Sequence, residues 1–225
     1  MKRINRRMKT LLLAAVCASL LPLATPAALA RGLRPDVLAI AREWAQIKYL
    51  SKSNSERSRK MKALAAKADA LAKRNPGRVD VLIWDGIVTS ERASLTWGIS
   101  ALRLATRARD ILKRAYRMNP KALDAGAATS LGVLYYRVPG FPIAWGDKKK
   151  ARRYLEEAVR NAPNGWDAHY FYADFLYQQG QYQKADQVLT EALRLPGDPQ
   201  RPLWSRMFPR VMRTLLAKVR RKEGL

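Results

Sequence analysis

Few side chains in this sequence belong to the types that carry out reactions. His169 is the single histidine and Cys17 the single cysteine, so no cysteine–histidine nucleophile pair forms beyond the first thirty residues and no cysteine-based metal set exists. The acids Glu91, Asp167 and Asp174 show no spacing that singles out two carboxylates for glycoside cleavage. Neither a nucleophile elbow nor a phosphate-cradling glycine loop nor a metal-ligand cluster is present. No catalytic residue, metal site or cofactor is therefore assigned, and a binding protein is expected rather than an enzyme. Recognition chemistry is better represented. The stretch 138–146 holds Phe141 and Trp145, with Pro139, Gly140, Pro142 and Gly146 restricting the backbone. A stiff loop bearing apolar rings suits contact with a partner. The alternative is that both rings plug a gap between helices, the common fate of Trp and Phe.

The elements that position these residues read as helices throughout. From Arg34 to Leu50 the residues Val37, Ile40, Ala41, Trp44 and Ile47 fall on one face. Ser53-Asn54-Ser55 supplies a cap for the next helix, in which Met61, Leu64, Ala68 and Leu71 recur every three or four residues, and Asn75-Pro76-Gly77 ends it. Between Leu203 and Arg221, Trp204, Phe208, Val211, Leu215 and Val219 oppose Arg206, Arg210, Arg213 and Lys218. Such a helix either caps the open end of a helical stack or lies on an anionic membrane. No alternating run of β-branched and aromatic residues is long enough for a sheet.

An internal repeat organises the central part. Ala151, Leu155 and Ala158 recur 34 residues later as Ala185, Leu189 and Ala192, and occur 43 residues earlier as Ala108, Leu112 and Ala115. Each trio precedes a turn, at Asn119-Pro120, Ala162-Pro163 and Pro196-Gly197. Leu131, Gly132 and Tyr135 correspond to Tyr172, Ala173 and Leu176 in the preceding helices. Two short helices cannot bury their apolar faces alone, so pairs must stack, with small residues where helices approach most closely. Gly132 is expected to face Ala151, and Ala173 to face Ala185.

At these positions the chain resembles the tetratricopeptide repeat family. The clearest units span 100–120, 124–163 and 166–197; the second carries about seven extra residues between its helices, and the first is secure only in its second helix. The resemblance implies an all-α fold: a right-handed superhelical stack of antiparallel helix pairs, with extra N-terminal helices and a C-terminal capping helix, all within one domain over 31–225. It also implies a groove lined by the first helix of each pair. Carried onto this sequence, the groove positions are Thr129, Val133, Tyr136 and Arg137, then Tyr170, Asp174, Tyr177 and Gln178. Tyrosines with one cation and one acid suit a peptide or a small polar ligand. The stretch from Trp84 to Arg92, with Ile87, Glu91 and Ser94 at helical spacing, extends that groove, Glu91 and Arg92 reading as an ion pair or solvated charges. His169 stands at a packing position. A narrower likeness lies in residues 131–142, whose Leu-Gly, Tyr and Pro-Gly-Phe-Pro features resemble the T component associated with some tripartite ATP-independent periplasmic (TRAP) transporters. That likeness implies a helical protein working beside a substrate-binding protein.

The first thirty residues read as a secretory signal peptide: Lys2, Arg3, Arg6, Arg7 and Lys9, an apolar run from Leu11 to Leu21, and Ala28-Leu29-Ala30 at the cleavage point. The run falls short of the roughly 20 residues that span a bilayer. Val16 stands where a lipoprotein signal at Cys17 wants a small residue. An exported, periplasmic location is expected. The net charge of +25 loses only the five leader cations on cleavage, and favours acidic partners. Export argues against nucleic acid as a physiological target. The expected partners are a protein or peptide, or a small ligand reached through a transporter component, with contact to an anionic membrane or cell-wall polymer as the alternative function.

Overall fold

The computed structural model describes residues 32–224; the leader read into residues 1–30, Cys17 included, lies outside them. Residues Leu33–Leu225 form one compact unit. Among the described residues nine helices follow one another: α1 Pro35–Leu50, α2 Asn54–Arg74, α3 Val79–Ser94, α4 Gly98–Met118, α5 Ala122–Arg137, α6 Lys148–Asn161, α7 Trp166–Gln178, α8 Tyr182–Ala192 and α9 Pro202–Glu223.

Local chemistry sets the boundaries. Pro35 opens α1, where its missing N–H is no loss. The Ser53 hydroxyl accepts from the Glu56 N–H at 3.1 Å, and the Glu56 carboxylate accepts from the Lys52 N–H at 2.8 Å, satisfying two donors at the start of α2. Asp147 caps α6 by accepting from the Lys150 N–H at 3.0 Å. The entry into α5 is less regular: Leu123, Asp124 and Ala125 have positive φ of 49–54°, a left-handed turn that costs roughly 1–2 kcal/mol per residue for a chain of L-residues.

The helices associate as the pairs α1/α2, α3/α4, α5/α6 and α7/α8, with α9 added. The repeat thus runs one helix further toward the N-terminus than the secure sequence pattern, because α3 is the partner of α4. A Cβ on Gly86 of α3 would sit 2.5 Å from Leu112 Cγ, and one on Gly132 of α5 would sit 2.5 Å from Leu155 Cγ. The two glycines play the same part in successive pairs: each leaves room for the fully buried leucine of the facing helix. The close approach of Gly132 is to Leu155 first and to the Ala151 carbonyl oxygen second, at 3.3 Å. The trio alanines Ala108, Ala115, Ala151, Ala158, Ala185 and Ala192 are all fully buried. In α2, Met61, Leu64 and Ala68 enter the core as their spacing predicts. Leu71 is only partly buried and Ala72 takes its turn.

The odd-numbered helices approach one another closely in sequence, α1 on α3, α3 on α5 and α5 on α7, while the backbones of the even-numbered helices approach only their odd neighbours or α9 and meet one another through long side chains, as in Arg107–Asp69 and Tyr116–Glu157. The odd helices therefore line the inner, concave side of the stack. Helix α9 then packs on α8 and α7 and also reaches α1. The Leu33 N–H donates to Gln200 Oε1 at 2.7 Å, and Arg42 Nε donates to the Gln200 carbonyl at 3.0 Å. Trp204, Phe208, Met212, Leu215, Leu216 and Val219 form the buried face of α9; Val211 is only partly covered. The basic face of Arg206, Arg210, Arg213 and Lys218 is exposed. Pro209 lies within the helix. The inner helices α1, α3, α5 and α7 thus join α9 in a closed circuit.

Gly132→Ala is expected to destabilise the protein by about 1–3 kcal/mol through overpacking against Leu155, a fall of several degrees in Tm. Thermal unfolding followed by circular dichroism reads this directly. An unchanged Tm would show that helix separation in the pair is set elsewhere.

Candidate functional site

Helices α5 and α7 lie side by side on the inner face, and their contact brings three of the groove residues together. Asp174, buried on α7, accepts through one carboxylate oxygen from the Tyr136 hydroxyl and from Arg137 Nη2, the latter at 3.0 Å. The Arg137 guanidinium lies 5.6 Å from the ring centroids of both Tyr136 and Phe171. Phe175 backs Tyr136 with centroids 5.6 Å apart. Burial pushes the Tyr136 phenol well above its usual pKa, with Asp174 reinforcing the shift against the opposing Arg137 charge, so the phenol remains a donor. Burial alone would make Arg137 less basic, but Tyr136 and Asp174 outweigh it and hold the guanidinium charged. The result is an oriented cation with about half of its side chain open to solvent.

The remaining groove positions are dispersed. Tyr170 stands one turn before Asp174 and packs edge-on against Phe171 and Phe208 at 5.0 and 5.2 Å; burial, followed by the Asp174 charge, pushes its phenol up to about 12. Tyr177 packs on Tyr182 at 5.7 Å, and Gln178 is exposed at the end of α7. Thr129 is a correction to the groove reading: it is buried in the core, with its hydroxyl lacking a partner. His169 is buried, its Nδ1 lying 2.9 Å from the Gly165 carbonyl oxygen, as its packing position implied.

The inserted loop divides its two rings between the alternatives. Trp145 fills a gap between helices: its ring meets Tyr135 edge-on at 5.5 Å, lies 4.5 Å from the Arg109 guanidinium, and its Nε1 donates to Thr106 Oγ1 at 2.9 Å. Phe141 stands free, 93 % exposed.

Residues outside the repeat pattern also reach the inner face. Tyr49 and Lys48 at the end of α1, and Arg201 just before α9, lie within electrostatic reach of Asp167 at the start of α7. Burial raises the Asp167 carboxyl, with Arg201 and Lys48 opposing it and Asp124 adding to it. The Tyr49 hydroxyl is buried without a hydrogen-bond partner. No repeat-based reading finds these residues, because α1 and α9 carry no repeat signature.

The stretch from Trp84 to Arg92 splits between two surfaces. Trp84 packs on Trp44 of α1 at 5.9 Å, and Glu91 pairs with Lys48 at 3.4 Å rather than with Arg92. Asp85 faces the other way, toward Asp69 of α2 and Arg107 of α4. It accepts a 3.4 Å hydrogen bond from Thr89, and burial pushes its carboxyl up to about 6, the Asp69 charge adding to the effect.

Sequence and structure comparisons agree with this architecture. Residues 146–202 match the sequence profile of the tetratricopeptide repeat family. The structure is similar to that of a thermophilic TPR protein from Thermus thermophilus, with a TM-score of 0.53 and 19 % identity over 83 % of this chain and 91 % of that one. A MamA mutant aligns with a TM-score of 0.43 and 16 % identity over 84 % and 88 % of the two chains. A second MamA structure gives 0.42 and 14 % over 84 % and 97 %. No curated protein matches the sequence. The fold is an all-α, tetratricopeptide-like stack of helix pairs.

Asp85 generates a pH prediction. Its native carboxyl holds a proton up to about pH 6, whereas the unfolded one releases it near the ordinary value of 3.8. Between these values the native state binds more protons, so stability falls as pH rises through the window. Asp85→Asn removes the titration. The stability of the variant relative to the parent is expected to grow by about 2–3 kcal/mol between pH 4 and pH 6.5, measured by urea unfolding across that range. A difference independent of pH would show that Asp85 titrates normally.

Proposed function

We propose that the protein is an exported scaffold whose concave face seats an extended segment of a partner protein, with Arg137 receiving a carboxylate of that segment. The observation that carries this reading is the state of Arg137. Its guanidinium is positioned in advance by Asp174 and flanked by the rings of Tyr136 and Phe171, so little side-chain entropy remains to be lost on binding. It is still half open to solvent. A planar, fixed guanidinium suits a carboxylate through two parallel hydrogen bonds. Tyr170 and Tyr177 on the same helix offer area and hydroxyls along the path of a bound chain.

Location and physiological setting extend the same proposal. The basic start, apolar run and Ala-Leu-Ala sequence support export to the periplasm. The Leu131–Pro142 likeness supports an accessory role beside a substrate-binding protein of a TRAP-type or other envelope system. In that setting the partner is a protein, and any small ligand reaches the scaffold through it.

Two measurements test the reading. Residues 1–40 fused to alkaline phosphatase are expected to give activity in a bacterial host, since that enzyme matures only after export; an inactive fusion would remove the periplasmic location. For the groove, Arg137→Ala is expected to reduce partner recovery from periplasmic extract by about tenfold, the value of one charge-assisted contact. Arg137→Lys should restore little of it, because lysine lacks the planar fork. Equal recovery by parent and Arg137→Ala, with Tm unchanged, would remove the groove from the account.

A further inference from the structure

The exposed large apolar side chains are gathered on one edge of the stack. Helices α1, α3 and α5 run parallel, so the turns that follow them emerge together. Those ends and turns carry Leu50, Trp97, Ile99, Phe141 and Ile143, with Trp97 91 % and Phe141 93 % exposed. On the opposite edge only Met118 is comparably placed among the described residues. Isolated exposed apolar residues are ordinary, but a gathering on one edge marks an interaction surface.

The loop around Phe141 holds its tip out by construction. The Gly146 N–H donates to the Pro139 carbonyl at 2.8 Å, and the Ile143 and Ala144 N–H groups both donate to the Gly140 carbonyl at 3.0 and 3.1 Å. Trp145 pins the far limb to α4 through Thr106 and Arg109. A Cβ at Gly146 would lie 1.9 Å from the Val138 carbonyl oxygen, so only glycine closes this turn. Phe141 and Ile143 therefore project from a fixed backbone.

The charge on this edge is mostly positive, its acids Glu56 and Asp147 being paired with Lys60 and Lys150. Helices α4 and α6 both begin here, and neither has an acid in its first turn. Lys148, Lys149 and Lys150 open α6 and are all exposed, although a helix N-terminus repels cations. The nearby cap Asp147 is held by Lys150 at 3.1 Å. The uncapped N-terminus of α4 and a lysine run thus lie beside protruding Trp, Ile and Phe side chains.

We propose that this edge, which is separate from the concave face around Arg137, docks on an anionic phospholipid bilayer. Trp97, Phe141 and Ile143 enter the headgroup boundary, while Lys148, Lys149 and the uncapped N-terminus of α4 meet the phosphates. A bilayer fits better than an acidic protein, because the apolar groups stand as separate projections from rigid turns, and lipid closes around each one without a shaped pocket. Aromatic side chains favour that boundary, and basic residues beside them add attraction to anionic lipid.

The test uses residues 31–225, which contain the whole compact unit, with vesicles of phosphatidylcholine containing roughly 30 % phosphatidylglycerol at roughly 50 mM salt. The protein is expected to sediment with these vesicles and not with phosphatidylcholine alone, and to release as salt rises. Trp97 is the one strongly exposed tryptophan among the described residues, so its emission should shift to the blue and resist acrylamide on binding. Trp97→Ser with Phe141→Ser should weaken partition at least tenfold, and Lys148→Gln, Lys149→Gln and Lys150→Gln together by about a hundredfold. Circular dichroism should be unchanged in both, since the replaced side chains are exposed. Binding lost instead on replacing Arg206, Arg210 and Arg213 of α9 would overturn the proposal, as would indifference to phosphatidylglycerol or binding unaffected by the Trp97/Phe141 pair.

Discussion

The closest approach between the two helices of a pair governs this fold. At Gly86 against Leu112, and at Gly132 against Leu155, one helix gives up its side chain so that a leucine of the other can be buried completely. Ala173 takes the corresponding place in the next pair, opposite a helix whose Leu189 is also fully buried. The geometry is repeated, so each pair presents the next with nearly the same surface. The aromatic ladder Trp145, Tyr135, Tyr154 and Tyr116 then bonds α4 to the α5/α6 pair, with successive centroids 5.3–5.7 Å apart. Contacts of this kind are worth about 0.5–1.5 kcal/mol each beyond the area they bury.

Stacking of this kind would leave two open ends, each with an uncovered apolar face. Here the ends cover one another. Trp204 and Phe208 of α9 pack on Trp166 of α7 at 5.1 and 6.3 Å, and Gln200 ties the approach to α9 onto α1. Helix α9 thereby bridges α1 and α7 across the inner side of the stack. Burial there raises Tyr49, Asp167 and Tyr170 together, with Lys48 and Arg201 opposing the shift at Asp167 and Glu91 adding to that at Tyr49. The positive excess of the chain is displaced to the outer faces and the turn edge, where water screens it.

Much of the candidate site was legible because the first helices of successive pairs must lie side by side, which sets the end of α5 with Tyr136 and Arg137 against Asp174 in the middle of α7. Tyr136, Arg137 and Asp174 meet for that reason. Thr129 does not join them, since a hydroxyl one turn from a groove position can rotate into the core when the neighbouring helix crosses closely. The loop from Val138 to Gly146 was ambiguous by nature: composition says that two rings sit on a stiff turn, and only the position of α4 decides that Trp145 finds Thr106 and Arg109 while Phe141 finds nothing.

What the sequence determined by itself is local and periodic. It specified helices, the cap at Ser53, the recurring alanine and leucine positions, and the stacking that such positions demand, because each of these follows from contacts within a turn or between adjacent helices. The tertiary structure alone decided which distant elements meet. Gln200 against Leu33 and Tyr49 near Asp167 depend on the accumulated angle of four successive pairs. Small rotations at each step sum over the whole stack, and no single pair of residues encodes that sum.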